Sequence, residues 1–176
     1  MKTILWATLS ANGNYARNDP AHPPKPQALA DFAARARAAG NFIVGRHTFE
    51  SFQAQAPRSD SSSNPAPNPF ASTTIVLVSR TLKIPGMPLA ASPRAALDLL
   101  RERGHATALI AGGEQLHNAF LAENLVDELI FNVAPLLEDE GFKIVLPKGQ
   151  QRELELVDTK PLGGGVVQLH YALRPR

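Results

Sequence analysis

The stretch TALIAGGEQL, residues 107–116, decides the fold, because it predicts a short apolar strand, a two-glycine turn and the start of a helix. The helix is expected to run from Glu114 to Asn124. The adjacent Gly112 and Gly113 permit positive φ and let another molecule approach the backbone without a Cβ in the way. The first turn of the helix presents unpaired N–H groups and a positive dipole end, which favour an anion such as a phosphate. A tight turn that binds nothing is the alternative, and other segments have to decide between the two.

The composition limits the classes of function. A length of 176 residues predicts one domain, and 44% hydrophobic with 19% charged residues is typical of a globular protein. The net charge of +2, with scattered basic residues, argues against a nucleic-acid partner, and no apolar run is long enough for a membrane span. The first apolar run is too short for a secretory signal, so a cytoplasmic location is expected. Cysteine is absent and the five histidines lack ligand spacing, so no metal site is expected.

Strands and helices are predicted to alternate along most of the chain. The hydrophobic periodicity and the turn residues predict strands at 3–11, 41–44, 73–78, 88–91, 107–111, 125–137, 153–161 and 166–173, and helices at 27–39, 48–52, 93–103 and 114–124. Thr48 is the expected N-cap of the second helix. This order predicts an α/β fold with a mostly parallel sheet, helices on both faces and a C-terminal antiparallel hairpin at one edge. The Pro- and Ser-rich residues 56–72 are predicted to form a surface insertion.

Three of the predicted parallel strands end in groups that suit phosphate. These ends are Gly45-Arg46-His47-Thr48, Ser79-Arg80 and Gly112-Gly113. The carboxyl ends of parallel strands meet at one edge of a sheet, so all three are expected to face one crevice. Gly112-Gly113 suits a pyrophosphate, while the guanidinium groups of Arg46 and Arg80 suit a further dianionic group. That combination fits NADPH, although the first strand is not followed by the Gly-x-Gly-x-x-Gly fingerprint of the Rossmann fold.

Four segments carry a resemblance to a known family. In chain order they are Ala7–Gly13, Val44–Glu50, Ile110–Leu116 and Leu125–Pro135. Together they resemble the dihydrofolate reductase-like superfamily, most closely the branch of the riboflavin-biosynthesis reductase, the RibD C-terminal domain. The resemblance implies a single three-layer αβα domain over residues 1–176. It also implies an NADPH-dependent reductase that transfers hydride to a small heterocycle, such as a pterin or a ribosylated aminopyrimidine, and that forms a homodimer.

The resemblance also implies roles for individual residues. The cofactor would be bound by Ala7, Tyr15, Ala16, Gly45, Arg46, His47, Thr48, Ser79, Arg80, Ile110, Gly112, Gly113, Glu114, Gln115 and Leu116. The substrate would be bound by Trp6, Leu29 and Ile110. For Trp6 and Ile110, the family places the backbone carbonyl towards the substrate.

Two departures from the family pattern leave the chemistry open. Leu29 stands where folate-reducing members have a carboxylate, and Asp31 is the nearest acid. Asp31 is therefore the candidate catalytic residue, or else a solvated acid favoured by the helix dipole. Asp139 replaces a glycine in an acidic turn, which either faces an amine-bearing substrate or is solvated. Trp6 would also crowd a pterin. The alternative function is a nucleotide-binding protein of the same fold without catalytic activity.

Overall fold

An eight-stranded sheet forms the middle of the fold. The computed structural model of the chain describes residues 1–17, 19, 21–55, 70–81 and 84–174. The strands follow the order β4-β3-β2-β5-β1-β6-β8-β7 across the sheet. Their bounds are β1 (Lys2–Ser10), β2 (Asn41–Gly45), β3 (Thr74–Val78), β4 (Leu89–Ala90), β5 (Thr107–Gly112), β6 (Glu128–Ala134), β7 (Leu154–Gly163) and β8 (Val166–Leu173). Strands β1 to β6 are parallel, whereas β8 is antiparallel to both β6 and β7.

Helices cover both faces of this sheet. On one face, α1 (Pro26–Ala39) and α2 (Arg46–Gln55) bury Phe32 and Phe49 against residues such as Trp6. On the other face, α3 (Pro93–Glu102) and α4 (Glu114–Ala122) bury Leu97 and Phe120. The predicted three-layer α/β fold with a C-terminal antiparallel hairpin is confirmed. Within the described residues, no helix is both long and apolar enough to cross a membrane.

The ends of the elements follow local signals in most places. Gly40 ends α1 in the left-handed conformation with φ of 67°, and the Ser92 hydroxyl caps α3 by accepting from the backbone N–H of Ala95 at 3.2 Å. The prediction that Thr48 caps the second helix is wrong, because β2 passes directly into α2 and the helix already begins at Arg46. Strand β6 is shorter than predicted, because the chain turns after Ala134.

The predicted insertion falls mostly outside the described part of the chain, which excludes residues 56–69. Phe70 is described, and its ring centroid lies 5.7 Å from that of Phe32 and 5.3 Å from that of Phe42. This ring packs against the core beneath α1. The prediction that the surface insertion extends to residue 72 is therefore wrong at Phe70.

The register of β1 is fixed by a carboxylate next to β6. Asp127 Oδ2 accepts hydrogen bonds from the Thr3 backbone N–H at 2.7 Å and from the Thr3 hydroxyl at 2.8 Å. With β1 in this register, Ala7 packs on the α3/α4 side and Trp6 on the α1/α2 side. Both residues also reach the cleft described next.

Candidate cofactor and substrate cleft

A large cleft opens at the carboxyl ends of the parallel strands. Its volume is about 1430 Å³. Strand β1 lies between β5 and β6 in the sheet. The chain adds β2, β3 and β4 on one side of β1 and β6 on the other, so this is a topological switch point. Open α/β sheets bind ligands at such a point. Fifteen of the residues predicted from the sequence line the cleft: Trp6, Ala7, Tyr15, Ala16, Leu29, Gly45, Arg46, His47, Thr48, Ser79, Arg80, Gly113, Glu114, Gln115 and Leu116.

One end of the cleft, here called the glycine end, is formed by residues 45–48, 79–80 and 113–116. Gly112 has a φ of +106°, and the peptide bond to Gly113 is cis. A Cβ on Gly113 would lie only 2.8 Å from the hydroxyl oxygen of Thr48 in α2, so a larger residue here would force one of the two to shift. Helix α4 starts immediately afterwards without a side-chain N-cap. Its first N–H groups are therefore available to an anion.

Sheet pairing brings the three predicted strand ends together. Strand β2 pairs with β5 through Val44 and Gly112, and with β3 through Gly45 and Val78. Arg46 and Arg80 are exposed at these ends. Arg46 lies 4.0 Å from the exposed Glu50, which is a weak contact. Arg80 lines the cleft, and no carboxylate among the described residues lies within ion-pair distance of it.

His117, which the sequence reasoning missed, lies beneath the Gly112-Gly113 turn. It is fully buried, and its Nε2 lies 3.1 Å from the Ile110 carbonyl oxygen. Its Nδ1 lies 2.5 Å from the Tyr15 hydroxyl oxygen. A neutral imidazole has one donor and one acceptor, so Nε2–H donates to Ile110 and the Tyr15 hydroxyl donates to Nδ1.

Burial determines the charge of this pair. It lowers the pKa of His117 from 6.5 to about 4, only partly opposed by the hydrogen bond to Ile110. Burial, followed by the negative charge of Glu114, raises the pKa of Tyr15 above its ordinary value. Both groups are therefore neutral at pH 7. They support the wall of the cleft by hydrogen bonding and do not add charge to it.

A second part of the cleft, here called the tryptophan end, is lined by Trp6, Leu29, Phe32 and Phe52. The Trp6 and Phe32 rings are tilted by 48°, with centroids 5.1 Å apart. Leu29, which occupies the position of the missing carboxylate, is 40% exposed at the cleft. This end is therefore aromatic and apolar, whereas the glycine end is polar.

A chain of hydrogen bonds, here called the polar chain, lies behind the tryptophan end. The Trp6 indole N–H donates to Asp31 Oδ2 at 2.9 Å, and Arg35 Nε donates to the same oxygen at 2.8 Å. A terminal nitrogen of Arg35 then donates to Gln168 Oε1 at 2.7 Å, and Gln168 Nε2 donates to Asn132 Oδ1 at 2.7 Å. The polar chain thus joins β1, α1, β8 and β6.

Three of the predicted site residues do not line the cleft. Asp31 has a side chain that is only 11% exposed, and it faces Trp6 and Arg35. Ile110 is fully buried, and its carbonyl oxygen is within hydrogen-bond distance of His117. Gly112 is also buried, although its neighbour Gly113 reaches the cleft.

The acidic turn after β6 is engaged within the protein. Arg17 donates to Asp139 Oδ1 at 2.7 Å, and the Arg17 backbone N–H donates to Glu138 Oε1 at 3.0 Å. Glu138, Asp139 and Arg17 all lie at the rim of the cleft. Because these carboxylates already have a cation beside them, they are poorly suited to bind an amine.

A comparison of the sequence with models of known families gives a match over nearly the whole chain. The sequence matches the family model described as the RibD C-terminal domain over residues 2–168. The chain belongs to the RibD C-terminal domain family. Among curated proteins, the uncharacterized protein YwjB of Bacillus subtilis strain 168 is 39% identical over 62 residues, which is 35% of each chain.

Solved structures share the fold of this RibD C-terminal domain. A pyrimidine reductase-like protein from Corynebacterium diphtheriae aligns with a TM-score of 0.73 and 14% identity, covering 99% of this chain and 92% of its own. RibD of Acinetobacter baumannii, in its crystal form 1, aligns with a TM-score of 0.73 and 19% identity, covering 99% of this chain. The chain spans 58% of the length of that RibD. Structural similarity at 14% and 19% sequence identity shows that these proteins share the fold of this chain.

Proposed function

We propose that this chain is an NADPH-dependent reductase that transfers hydride to a small heterocyclic substrate. The observation that carries the proposal is the meeting of three phosphate-competent strand ends at one end of a single large cleft. Membership of the RibD C-terminal domain family supports a reductase of the riboflavin-pathway type.

The residues of the glycine end fit a dinucleotide. Gly113 provides a close backbone approach next to the uncapped start of α4, which suits a pyrophosphate. Arg46, Ser79 and Arg80, which all line the cleft, suit the 2′-phosphate of NADPH. Ala7, Tyr15 and Ala16 also line the cleft, and the nicotinamide would lie near them. When bound, NADPH supplies the hydride, and the protein supplies orientation and exclusion of water.

The tryptophan end and the adjacent rim suit the substrate. Trp6, Phe32 and Leu29 provide an apolar, partly aromatic wall for an aromatic ring. Lys25 also lines the cleft, and no carboxylate among the described residues pairs with it. A cation next to an apolar wall favours a heterocycle that carries an anionic group, such as the phosphate of a ribosylated aminopyrimidine.

One observation favours a second candidate, a nucleotide-binding protein without catalysis. Asp31 is the acid closest to the expected proton-donor position. It accepts hydrogen bonds from Trp6 and Arg35 and does not line the cleft. The glycine end would then bind NADPH while the tryptophan end served only to bind a second ligand.

Trp6, the only tryptophan, provides the first test. NADPH is expected to quench its fluorescence with saturation in the micromolar range. It should also raise the melting temperature by roughly 5–10 °C at about a hundred times the dissociation constant. The absence of both effects would reject the cofactor proposal. Oxidation of NADPH with any member of a panel of pterins and ribosylated aminopyrimidines supports the reductase, whereas binding without oxidation across the panel supports the second candidate.

We also propose that two copies of the chain associate through the hairpin of β7 and β8. Strand β7 is an edge strand, and Leu154, Leu156 and Val167 are exposed. Their partners in the ladder are Leu173, Tyr171 and Pro161, so the three exposed residues share one face of the hairpin. An apolar edge of this kind favours pairing with another chain. Sedimentation of a monomer at high concentration would contradict the proposal.

A further inference from the structure

We infer that His117 is a positioning residue of the cofactor site: its two ring nitrogens connect residues 15–17 to the Gly112-Gly113 turn, so that two separate parts of the cleft wall are preorganised for NADPH as one unit. Residues 15–17 and Gly113 all line the cleft. The inference rests on the proposed function in one respect, since NADPH is taken to bind along both parts of the wall.

The Gly112-Gly113 turn lies against the imidazole of His117. The ring Nε2 lies 3.1 Å from the carbonyl oxygen of Ile110, just before the turn. The backbone N–H of His117 donates to the carbonyl oxygen of Gly113 at 3.0 Å. The ring also lies next to Gly112, where a Cβ would be 3.2 Å from the ring Cε1. His117 therefore contacts the backbone before, within and at the end of the turn, and the positions of ring and turn depend on each other.

Residues 15–17 form the second part of the wall, and Tyr15 connects them to the same ring. The Tyr15 hydroxyl oxygen lies 2.5 Å from His117 Nδ1, and the two rings are stacked with their centroids 5.7 Å apart. The Tyr15 backbone N–H donates to the Phe142 carbonyl oxygen at 2.8 Å, and Arg17 bonds to the acidic turn after β6. The Tyr15 hydroxyl therefore connects a segment that follows β1 to α4 and to the turn before it.

The direction of the two hydrogen bonds is fixed. The Ile110 carbonyl oxygen can only accept, so Nε2 carries the proton and Nδ1 accepts from the Tyr15 hydroxyl. The Tyr15 proton is therefore donated to His117 and does not face a substrate in this arrangement. His117 is only 1% exposed, so loss of the Tyr15 bond would leave a buried Nδ1 without a donor, which is costly. The bridge thus lowers the entropy cost of binding a ligand that contacts both parts of the wall.

Two amide variants separate the two bonds. The amide nitrogen of glutamine reaches about as far along a side chain as Nε2 of histidine, and the amide oxygen of asparagine reaches about as far as Nδ1. His117→Gln therefore keeps the bond to Ile110 and loses the bond to Tyr15, whereas His117→Asn does the reverse. Both variants, and Tyr15→Phe, are expected to bind NADPH about fivefold more weakly than the folded wild-type protein, measured by calorimetry. Tyr171→Phe removes the hydroxyl of the second tyrosine, which lies on β8 and does not line the cleft, so it is the control and should leave the affinity unchanged.

Combined variants and a shortened ligand test the bridge itself. Tyr15→Phe should weaken NADPH binding less than about twofold further in His117→Gln, which has already lost the same bond, but about fivefold further in His117→Asn. The ligand 2′,5′-ADP carries the 2′-phosphate and lacks the nicotinamide half of NADPH. Because it does not reach both parts of the wall, it should bind every variant within about twofold of the wild-type affinity.

Three results would overturn the inference. A purely structural role predicts that the variants lower the free energy of unfolding while the folded proteins bind NADPH as the wild type does. The other two results are full additivity of Tyr15→Phe and His117→Gln, and an equal loss of affinity for NADPH and 2′,5′-ADP. If the His117 variants do not fold, the comparison of Tyr15→Phe with Tyr171→Phe still decides, because Tyr15→Phe keeps the ring and removes one oxygen atom.

A spectroscopic readout tests the bridge without NADPH. In a ¹H–¹⁵N spectrum of the protein, Tyr15→Phe is expected to shift the backbone amide signals of Gly112 and Gly113, whereas Tyr171→Phe is not. In the His117→Gln background, Tyr15→Phe should no longer shift them. If no form of the protein binds NADPH, the proposed cofactor fails, and these signals still decide whether His117 connects the two parts of the wall. Unchanged glycine signals in Tyr15→Phe would overturn the inference even if NADPH binds.

Discussion

The glycine end of the cleft is built from strand ends and backbone groups, whereas the tryptophan end is built from side chains that come from distant parts of the chain. At the glycine end, Gly113 and Thr48 meet because β2 and β5 are neighbours in the sheet. At the tryptophan end, Arg35 reaches Gln168 across 133 residues of sequence. The first end depends on access to the backbone, and the second depends on a hydrogen-bonded network. Substitutions in the Gly112-Gly113 turn should therefore affect ligand affinity, whereas substitutions in the polar chain should affect stability.

The largest expected effect is a loss of stability in acid caused by His117 beneath the glycine end. Its pKa is about 4 in the folded protein and about 6.5 when unfolded. Between these values the unfolded chain binds a proton that the folded protein does not, so the free energy of unfolding falls as pH falls from 6.5 to 4. The full window corresponds to roughly 3 kcal/mol at 1.36 kcal/mol per pKa unit.

Urea unfolding at pH 7 and at pH 4 measures this loss. His117→Gln has no titrating group at this position, so it should lose roughly 3 kcal/mol less than wild type over the same interval. The variant also controls for other groups, such as Glu128, whose pKa is lowered by hydrogen bonds from Lys2 and His170 although burial opposes this. Equal losses in the two proteins would show that His117 is not held neutral.

The next effect concerns access to the backbone. Gly113→Ala places a methyl group 2.8 Å from the Thr48 hydroxyl oxygen, at the N-cap of α4. The affinity for NADPH is expected to fall about a hundredfold, or ~2.7 kcal/mol, measured by calorimetry. If the contact with Thr48 is responsible, Thr48→Ala should restore part of the affinity in the double variant, with clear non-additivity. Unchanged binding in Gly113→Ala would remove the Gly112-Gly113 turn from the cofactor site.

A substitution in the polar chain should separate the two ends. Gln168→Ala removes the partner of one Arg35 terminal nitrogen and of Oδ1 of the fully buried Asn132, which should lower the free energy of unfolding by about 2 kcal/mol, although Arg35 keeps its bond to Asp31. NADPH affinity should change less than twofold. Gln53 is an exposed glutamine on α2, so Gln53→Ala is the matched control and should have a much smaller effect on stability. A large loss of NADPH affinity in Gln168→Ala would show that the two ends are coupled.

The smallest expected effect is on cofactor preference. Arg80→Ala removes an exposed cation of the glycine end and should weaken NADPH binding about tenfold, or ~1.4 kcal/mol, with little change for NADH. Arg103→Ala, an exposed arginine at the end of α3, should leave both affinities unchanged. Equal weakening of NADPH and NADH binding would assign Arg80 to the pyrophosphate and not to the 2′-phosphate.

Much of the fold could be predicted because its signals are local. Gly40, Ser92 and the glycines at 163–165 end or join elements through their own backbone preferences. Thr48 shows the limit of such signals. It is a good N-cap residue in isolation, but here it lies inside a helix that follows β2 without a loop.

The two ends of the cleft also differ in how far their contacts could be predicted from the sequence. The strand ends at Gly45, Ser79 and Gly113 could be predicted, because parallel strands in one sheet end on the same side. The contacts of Trp6 with Asp31, and of Arg35 with Gln168, require the positions of α1 and β8 relative to β1, which no local pattern specifies. His117 had a usable signal, since it is a polar residue on the buried face of α4. A polar residue in that position needs partners, and Tyr15 and Ile110 provide them.

The pair of hydrogen bonds between Asp127 and Thr3 has a consequence for ligand recognition at the far end of β1. Side chains alternate across a strand, so a shift of β1 by one residue would exchange its two faces. Trp6 would then point towards α4, and Ala7 would take its place opposite α1. The Asp127 carboxylate does not line the cleft, yet its hydrogen bonds to Thr3 help to determine whether a methyl group or an indole ring lies on the α1 side of β1 at the cleft.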